Sequence, residues 1–305
     1  MPPERPIQSG RTATSDSPED VVRRLRAAGC VFAEEEAGLL TAAAGSAAEL
    51  DAMIERRAAG LPLEHILGWA DFCGLRVGVT TGVFVPRRRT EFLVRQAELL
   101  LGGTTSDGGT SDGGTTYGGG TSDGGRRAAA QAVAQTLAQT LVVDLCCGSG
   151  AVGAALLAQV GGIELHASDL DPAAVLCARG NIEPAGGHVH EGDLFEPLPA
   201  RLRGRIAVLL ANAPYVPTAA IGTMPPEARM YEPRMSLDGG PDGLDIQRRV
   251  IAGAPAWLAP GGHVLIETSR GQSRRTTRLM REAGLSTRLA RHPELDATVA
   301  IGTAS

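Results

Sequence analysis

The chain has 305 residues, enough for about two domains at roughly 150 residues each. With 43% hydrophobic and 21% charged residues, a largely disordered polymer is excluded, and a net charge of −5 argues against a protein built chiefly to coat nucleic-acid phosphates. All 29 basic residues are Arg, which rules out a Schiff-base lysine, a P-loop lysine and a kinase strand lysine.

Residues 1–17, rich in Pro, Ser, Thr and Arg without periodicity, read as a disordered tail. They contain no apolar signal core, and no run of about 18 apolar residues follows. The five cysteines are odd in number and form no CxxC pair. A reducing cytoplasm is therefore expected, with no membrane partner and no metal site. Ser17-Pro18-Glu19-Asp20 predicts a helix start, Ser17 capping and Pro18 in the first turn. Residues 18–70 carry Ala, Leu, Glu and Arg at helical spacing and predict a small helical domain. In 71–101, alternating Val and Gly over 72–86 predicts a hairpin, and Thr90–Leu101 a connecting helix. Residues 102–127 are a Gly-rich insertion in which Thr-Ser-Asp-Gly-Gly stands at 105–109, 110–114 and 121–125. Such a tract has no apolar surface to bury and reads as a flexible surface coil.

In 128–305, after an Ala-rich stretch, the pattern becomes strand, Gly-rich turn, helix, repeated. Strands are expected at Leu141–Leu145, Ile163–Ala167, Ile206–Ala211 and His263–Glu267. This alternation predicts an α/β fold with helices on both faces of a parallel sheet. Ligands in such sheets sit beyond the carboxyl ends of the strands.

The first of these strands ends in Asp144-Leu145-Cys146-Cys147-Gly148-Ser149-Gly150, where glycines let backbone approach a ligand. Asp169 follows Asp144 by 25 residues, near the interval at which an acid grips ribose hydroxyls. Asp171, just before Pro172, reads instead as a helix cap. Gly192-Asp193-Leu194-Phe195 adds an acid for an adenine amino group, with apolar neighbours to flank the ring. One nucleoside cradle without a pyrophosphate site points to S-adenosylmethionine rather than NAD.

The fourth strand runs into Asn212-Ala213-Pro214-Tyr215. A planar NH₂ is a poor nucleophile because its lone pair is delocalised. The Asn212 side-chain oxygen and the Ala213 carbonyl could accept both its N–H groups, aim the nitrogen at a methyl sulfonium and stabilise the charge that develops. Tyr215 would wall the planar group.

On these residues the chain resembles the HemK-type family of protein N5-glutamine methyltransferases, which modify the Gly-Gly-Gln glutamine of peptide-chain release factors. The resemblance covers about 19–101 and 128–303. It is carried also by Ala59–Gly68, by Phe72–Leu75, by Gly82-Val83-Phe84-Val85-Pro86-Arg87 before Thr90-Glu91, by Gly192–Leu198, and by Glu232-Pro233-Arg234 with Leu237-Asp238-Gly239-Gly240 and Asp242-Gly243-Leu244. It implies a Rossmann-like, seven-stranded class I methyltransferase sheet, a small N-terminal helical domain that docks a release factor, and S-adenosylmethionine as donor. By that match Asp144, Cys146, Gly148, Gly150, Asp169, Asp193, Leu194 and Asn212 line the cofactor pocket, and Asn212, Ala213, Pro214 and Tyr215 the glutamine pocket. The chain departs from the family at Ala213, where the turn otherwise reads Asn-Pro-Pro-Tyr, at Cys146 for the first motif glycine, and at Arg88-Arg89 for Pro-Glu. Ala213 still offers its carbonyl, and Pro214 still favours extended geometry there. A monomer that does not bind nucleic acid directly is expected.

Two other readings stay open on the residues alone. Exocyclic adenine N6 or guanine N2 groups are planar too, so a nucleic-acid methyltransferase could use the same turn. A non-catalytic scaffold binding the cofactor or a translation factor would accommodate Cys146 and Ala213. Elsewhere, His188 and His190 read as a surface pair, Arg270, Arg274, Arg275, Arg278 and Arg281 as a solvated helix face, and Glu267 receives no role.

Overall fold

Ser17 starts the first helix of the computed structural model, which describes residues 17–102 and 140–305. The remainder of the expected tail and of the Gly-rich insertion, with the Ala-rich stretch 128–139, lies outside the described residues. The chain divides into two units, Met1–Leu67 and Gly68–Ser305.

In the first unit, helices span Pro18–Ala27, Ala33–Ala43, Ala47–Ala58 and Leu63–Leu67. Ser17 and Asp20 form a capping box, satisfying two otherwise orphaned N–H groups. Val21, Leu25, Leu40, Ile54 and Ile66 recur at helical spacing and make the core. Within it, Arg57 Nε donates to Glu36 Oε2 at 2.6 Å and Nη2 to Oε1 at 3.1 Å, so two buried charges neutralise each other in a two-pronged contact.

The second unit opens with a hairpin of β1 (Trp69–Phe72) and β2 (Leu75–Gly78), shorter and earlier than the expected 72–86. Its turn residues Cys73 and Gly74 lie at φ 51° and 75°, the twist a two-residue hairpin loop requires. The Val and Gly residues beyond it run on as irregular chain to a helix at Glu91–Leu100. Seven further strands follow: β3 (Leu141–Leu145), β4 (Glu164–Asp169), β5 (His188–Glu191), β6 (Ile206–Ala211), β7 (Leu258–Glu267), β8 (Ser286–His292) and β9 (Ala297–Thr303). They form one sheet in the order β5-β4-β3-β6-β7-β9-β8. The first five in that order run parallel, and β9 is antiparallel to both β7 and β8. β7 starts five residues before its expected first residue, and the antiparallel pair β8–β9 had no counterpart among the strands expected from apolar patterning.

Both faces of the sheet are covered, so β3 is buried at every position: Val142 faces one apolar cluster, while Leu141, Val143 and Leu145 face another. Strand order reverses between β3 and β6, which opens a crevice at their carboxyl ends.

At the other edge of the sheet, His188 and His190 gain a neighbour that the sequence did not indicate. β4–β5 register sets His166 opposite His188, and His166 Nδ1 lies 2.8 Å from His190 Nε2. Burial, followed by the neighbouring His166, holds the His190 imidazole down at about 4. No group of histidines, cysteines and acids suited to a metal occurs among the described residues, and no helix among them is long and apolar enough to cross a membrane. Of the basic residues around the helix Ser273–Glu282, Arg270, Arg274, Arg275, Arg278 and Arg281 are exposed, while Ser273, Thr276, Thr277 and Met280 face inward.

Candidate active site

A cavity of about 300 Å³ lies at the carboxyl ends of β3, β4 and β6. One end of it is built by the turn after β3. Gly148 lines the wall at φ 55°, a left-handed backbone that favours glycine, and a Cβ there would project into open space rather than protein. Cys146 also lines the wall, and at φ 56° it holds the left-handed conformation without being glycine. That geometry costs a side-chain-bearing residue about 1–2 kcal/mol, partly offset because glycine loses more chain entropy on folding. Cys146→Gly should therefore raise the thermal unfolding midpoint by about 2–4 °C. A calorimetric scan finding an unchanged or lower midpoint would contradict the strain argument.

Asp169 ends β4 and ties this wall together. Its Oδ2 accepts from the Gly148 N–H at 2.8 Å and its Oδ1 from the Asp171 N–H at 3.0 Å. Burial pushes its carboxyl up, opposed by these backbone donors. Asp171 caps the helix Pro172–Ile182 by accepting from Ala173 N–H at 2.9 Å. Asp193 and Leu194 line the cavity, with Asp193 Oδ2 held by Arg249 Nη2 at 2.7 Å. Leu194, at φ 49°, is fixed by the Ser168 hydroxyl, which donates to its carbonyl at 2.8 Å.

Two expected cofactor residues, Asp144 and Gly150, do not line the cavity. Asp144 is buried behind the turn, where it accepts from the Gly153 N–H in the first turn of the following helix, and its Oδ2 has no hydrogen-bond partner among the described residues. Burial above all pushes its carboxyl up to about 7. Gly150 is the cap of that helix, and a Cβ on it would meet Ile182 at 2.8 Å. Both therefore shape the turn from behind. Spacing alone could not separate this from ligand contact.

Asn212, Ala213, Pro214 and Tyr215 line the other end. Asn212 Nδ2 donates to Thr90 Oγ1 at 3.2 Å. The Tyr215 hydroxyl donates to Glu267 Oε1 at 3.4 Å, and burial pushes the phenol up to about 12, so it stays protonated. The Tyr215 carbonyl is held from behind by Gln272 Nε2 at 2.9 Å, which also donates to the Asp242 and Gly243 carbonyls at 3.0 and 3.2 Å. Gly243 sits at φ 74°, and a Cβ on it would fall 2.3 Å from the Tyr215 oxygen. The close approach explains glycine in the Asp242-Gly243-Leu244 motif.

Arg87 and Glu232 come from two of the quoted motifs. Arg87 Nη2 donates to Glu232 Oε1 and Oε2 at 2.6 and 2.7 Å, stitching the chain before the helix Glu91–Leu100 to the far rim. Three further contributors carried no role in the sequence, although one of them, Thr90, stands in the same motif as Arg87. Asn181 Nδ2 donates to the Gly78 and Ser149 carbonyls at 2.9 and 2.8 Å, joining the hairpin to the glycine turn. Thr90 and Glu267 are buried at the back of the Asn212 turn. Glu267 ends a predicted strand, and that position, where α/β sheets bind ligands, was the signal available.

Residues 113–224 match the family model described as Methyltransferase small domain. A release factor glutamine methyltransferase of Geobacter sulfurreducens is 35% identical over 72% of this chain and 65% of its own. The chain thus spans about two thirds of the length of that relative. One of Moorella thermoacetica is 32% identical over 76% of this chain and 70% of its own. Among solved structures, the T. thermophilus 16S rRNA N2 G1207 methyltransferase superposes with TM-score 0.49 at 17% identity, over 78% of this chain and 50% of that one.

Proposed function

The chain belongs to the release factor glutamine methyltransferase family, and we propose that it methylates the side-chain amide nitrogen of the Gly-Gly-Gln glutamine in a peptide-chain release factor, with S-adenosylmethionine as donor. The observation that carries this reading is Asn212. With Nδ2 committed to Thr90, its Oδ1 is left for the cavity as an acceptor, which is the group a planar NH₂ needs.

The residues of the other end fit the donor. Asp169 offers a carboxylate suited to ribose hydroxyls, Gly148 offers open space, and Leu194 and Ile246 offer apolar flanks for a base. When bound, S-adenosylmethionine supplies a methyl group on positively charged sulfur. The chain's own contribution is orientation and charge. Asn212 Oδ1 and the Ala213 carbonyl accept the two N–H groups of the substrate amide, hold its plane, and favour the positive charge that develops on nitrogen. Tyr215 supplies a flat wall and stays neutral. A strong base is unnecessary at the outset, since the nitrogen sheds a proton only as it becomes tetravalent.

The test is intact-mass analysis of release factors incubated with this protein and the donor. A gain of one methylene, mapped by peptide fragmentation to the Gly-Gly-Gln glutamine, supports the reading. Methylation found only in nuclease-sensitive material would favour an exocyclic-amine methyltransferase, and binding without any product S-adenosylhomocysteine a scaffold.

A further inference from the structure

We propose that Gln272 is a positioning residue for methyl transfer: its side-chain NH₂ draws three backbone carbonyls together and so fixes where the Asn212-Ala213-Pro214-Tyr215 turn stands. The inference rests on the glutamine-methylation reading above. A turn that must hold a substrate amide in line with a methyl group tolerates little drift, since a displacement of about 1 Å can slow a reaction by about 100-fold. Its own residues supply the acceptors and the wall. Holding them still is the task of groups outside the turn.

Gln272 stands where the helix Ser273–Glu282 begins, and its carbonyl accepts from the N–H groups of Arg275 and Thr276 at 2.8 and 3.0 Å. The base of the side chain is thereby tied to a regular element. Its amide end is oriented from both sides. Oε1 accepts from the Ser269 hydroxyl at 2.6 Å, which leaves Nε2 turned to the carbonyls of Tyr215, Asp242 and Gly243 at 2.9, 3.0 and 3.2 Å. Two protons serve three oxygens, and a carbonyl only accepts, so the two ends of this carboxamide are not interchangeable.

The gathered oxygens belong to two segments. Asp242 and Gly243 lie in a loop anchored on both neighbouring helices: the Asp242 carboxylate accepts from Arg248 Nη2 of the helix Asp245–Gly253 at 2.5 Å and from Arg275 Nη2 at 2.7 Å. Tyr215 closes the turn. Loop and turn meet backbone to backbone, since a Cβ on Gly239 would fall 2.6 Å from the Pro214 oxygen and one on Gly243 would run into the Tyr215 oxygen. One residue further on, the Val216 N–H donates to the Leu237 carbonyl at 3.0 Å, and the Val216 carbonyl accepts from the Gly239 N–H at 2.9 Å. Gln272 extends this fastening into the backbone of the turn itself. Without its donor, the Tyr215 carbonyl would face the Asp242 and Gly243 carbonyls with like partial charges opposed. The turn would then ease away from the loop and carry the Tyr215 wall and the Asn212 and Ala213 acceptors off the line of transfer.

The experiment compares wild type with Gln272→Met, Ser269→Ala and Ser269→Thr. Gln272→Met keeps the length of the side chain and removes its donor. Calorimetry with S-adenosylhomocysteine counts folded molecules and gives their affinity, so kcat on a release factor is expressed per binding site. Gln272→Met should lower that kcat by about 10- to 100-fold, while affinity moves by about twofold or less, because the Asp169 end is untouched. Ser269→Ala, which frees the Gln272 amide to turn, should lower kcat by about three- to tenfold, and Ser269→Thr, which keeps the hydroxyl, should restore most of it. By hydrogen exchange with mass spectrometry, the segment 212–218 should exchange about tenfold faster in Gln272→Met, with the turn 144–150 unchanged.

A Gln272→Met kcat within twofold of wild type per binding site, an unchanged exchange rate over 212–218, or a Ser269→Thr variant as slow as Ser269→Ala would overturn the proposal. So would a loss of affinity in step with kcat, which would place the effect at the donor end. If Gln272→Met does not fold, the two Ser269 variants still decide. Should wild type leave the glutamine unmodified, the substrate reading fails instead, and the hydrogen-exchange comparison alone judges whether Gln272 fixes the turn.

Discussion

Asn212→Ala should slow methyl transfer by about two to three orders of magnitude, the range for deleting an aligned electrostatic partner of a reacting group. Asn212 lies on the cavity wall at the end of β6, and its side chain is tied on the protein side to Thr90. Truncation removes the acceptor without disturbing the turn after β3, so donor affinity should change by about threefold or less. Single-turnover rates at saturating donor, with calorimetry on the same preparation, separate the two quantities. A matching loss of donor affinity would mean that Asn212 serves the donor rather than the amide.

The opposite pattern is expected for Asp169→Ala. Its two oxygens hold the N–H groups of Gly148 and Asp171, so its loss releases the glycine turn as well as removing a carboxylate from the cavity. Charge-assisted contacts of this kind are each worth about 1.5–3 kcal/mol. Donor affinity should therefore fall by about 100-fold, equivalent to roughly 2.7 kcal/mol. The rate at saturating donor should stay within about tenfold of wild type, because the Asn212 end is untouched. Titration calorimetry and a donor-saturation curve check both halves. A rate loss that persists at saturation would assign Asp169 to the chemistry.

Together the two variants probe the cavity from both ends, and their contrast is more informative than either alone. The elements at each end are different strands and loops, with Asp169 on β4 and Asn212 after β6. Their effects should add to within a few tenths of a kcal/mol in the double variant if the sites act independently.

Much of this was legible in the residues taken one after another. Apolar runs set between glycine turns located β3 and β6 to the residue, and Ser17-Pro18 located the first helix, because strand burial and helix capping are local physics. The Asn212-Ala213-Pro214-Tyr215 turn could be read as an amide site because the chemistry resides in adjacent residues. The hairpin was displaced because its position depends on a left-handed turn at Cys73-Gly74, and a cysteine gives no hint of that conformation. Strand β8 escaped because its residues Ser286–His292 alternate partly exposed positions with little apolar contrast, whereas β9 is buried along almost its whole length.

Acids and glycines at the strand ends were visible as a set, yet their division into wall and backing was not. Asp144 near the end of β3 and Asp169 at the end of β4 occupy similar places, and only the fold turns one toward a helix start and the other toward the cavity. Thr90, Asn212 and Glu267 lie far apart in the chain, on three separate elements, and ordinary composition marks none of them as a unit. The sequence by itself determined which reactive groups exist and which strand ends carry them, since those follow from short-range pattern. Tertiary structure decided which group each one faces, because the direction of a hydrogen bond depends on partners that only the closed sheet brings within reach.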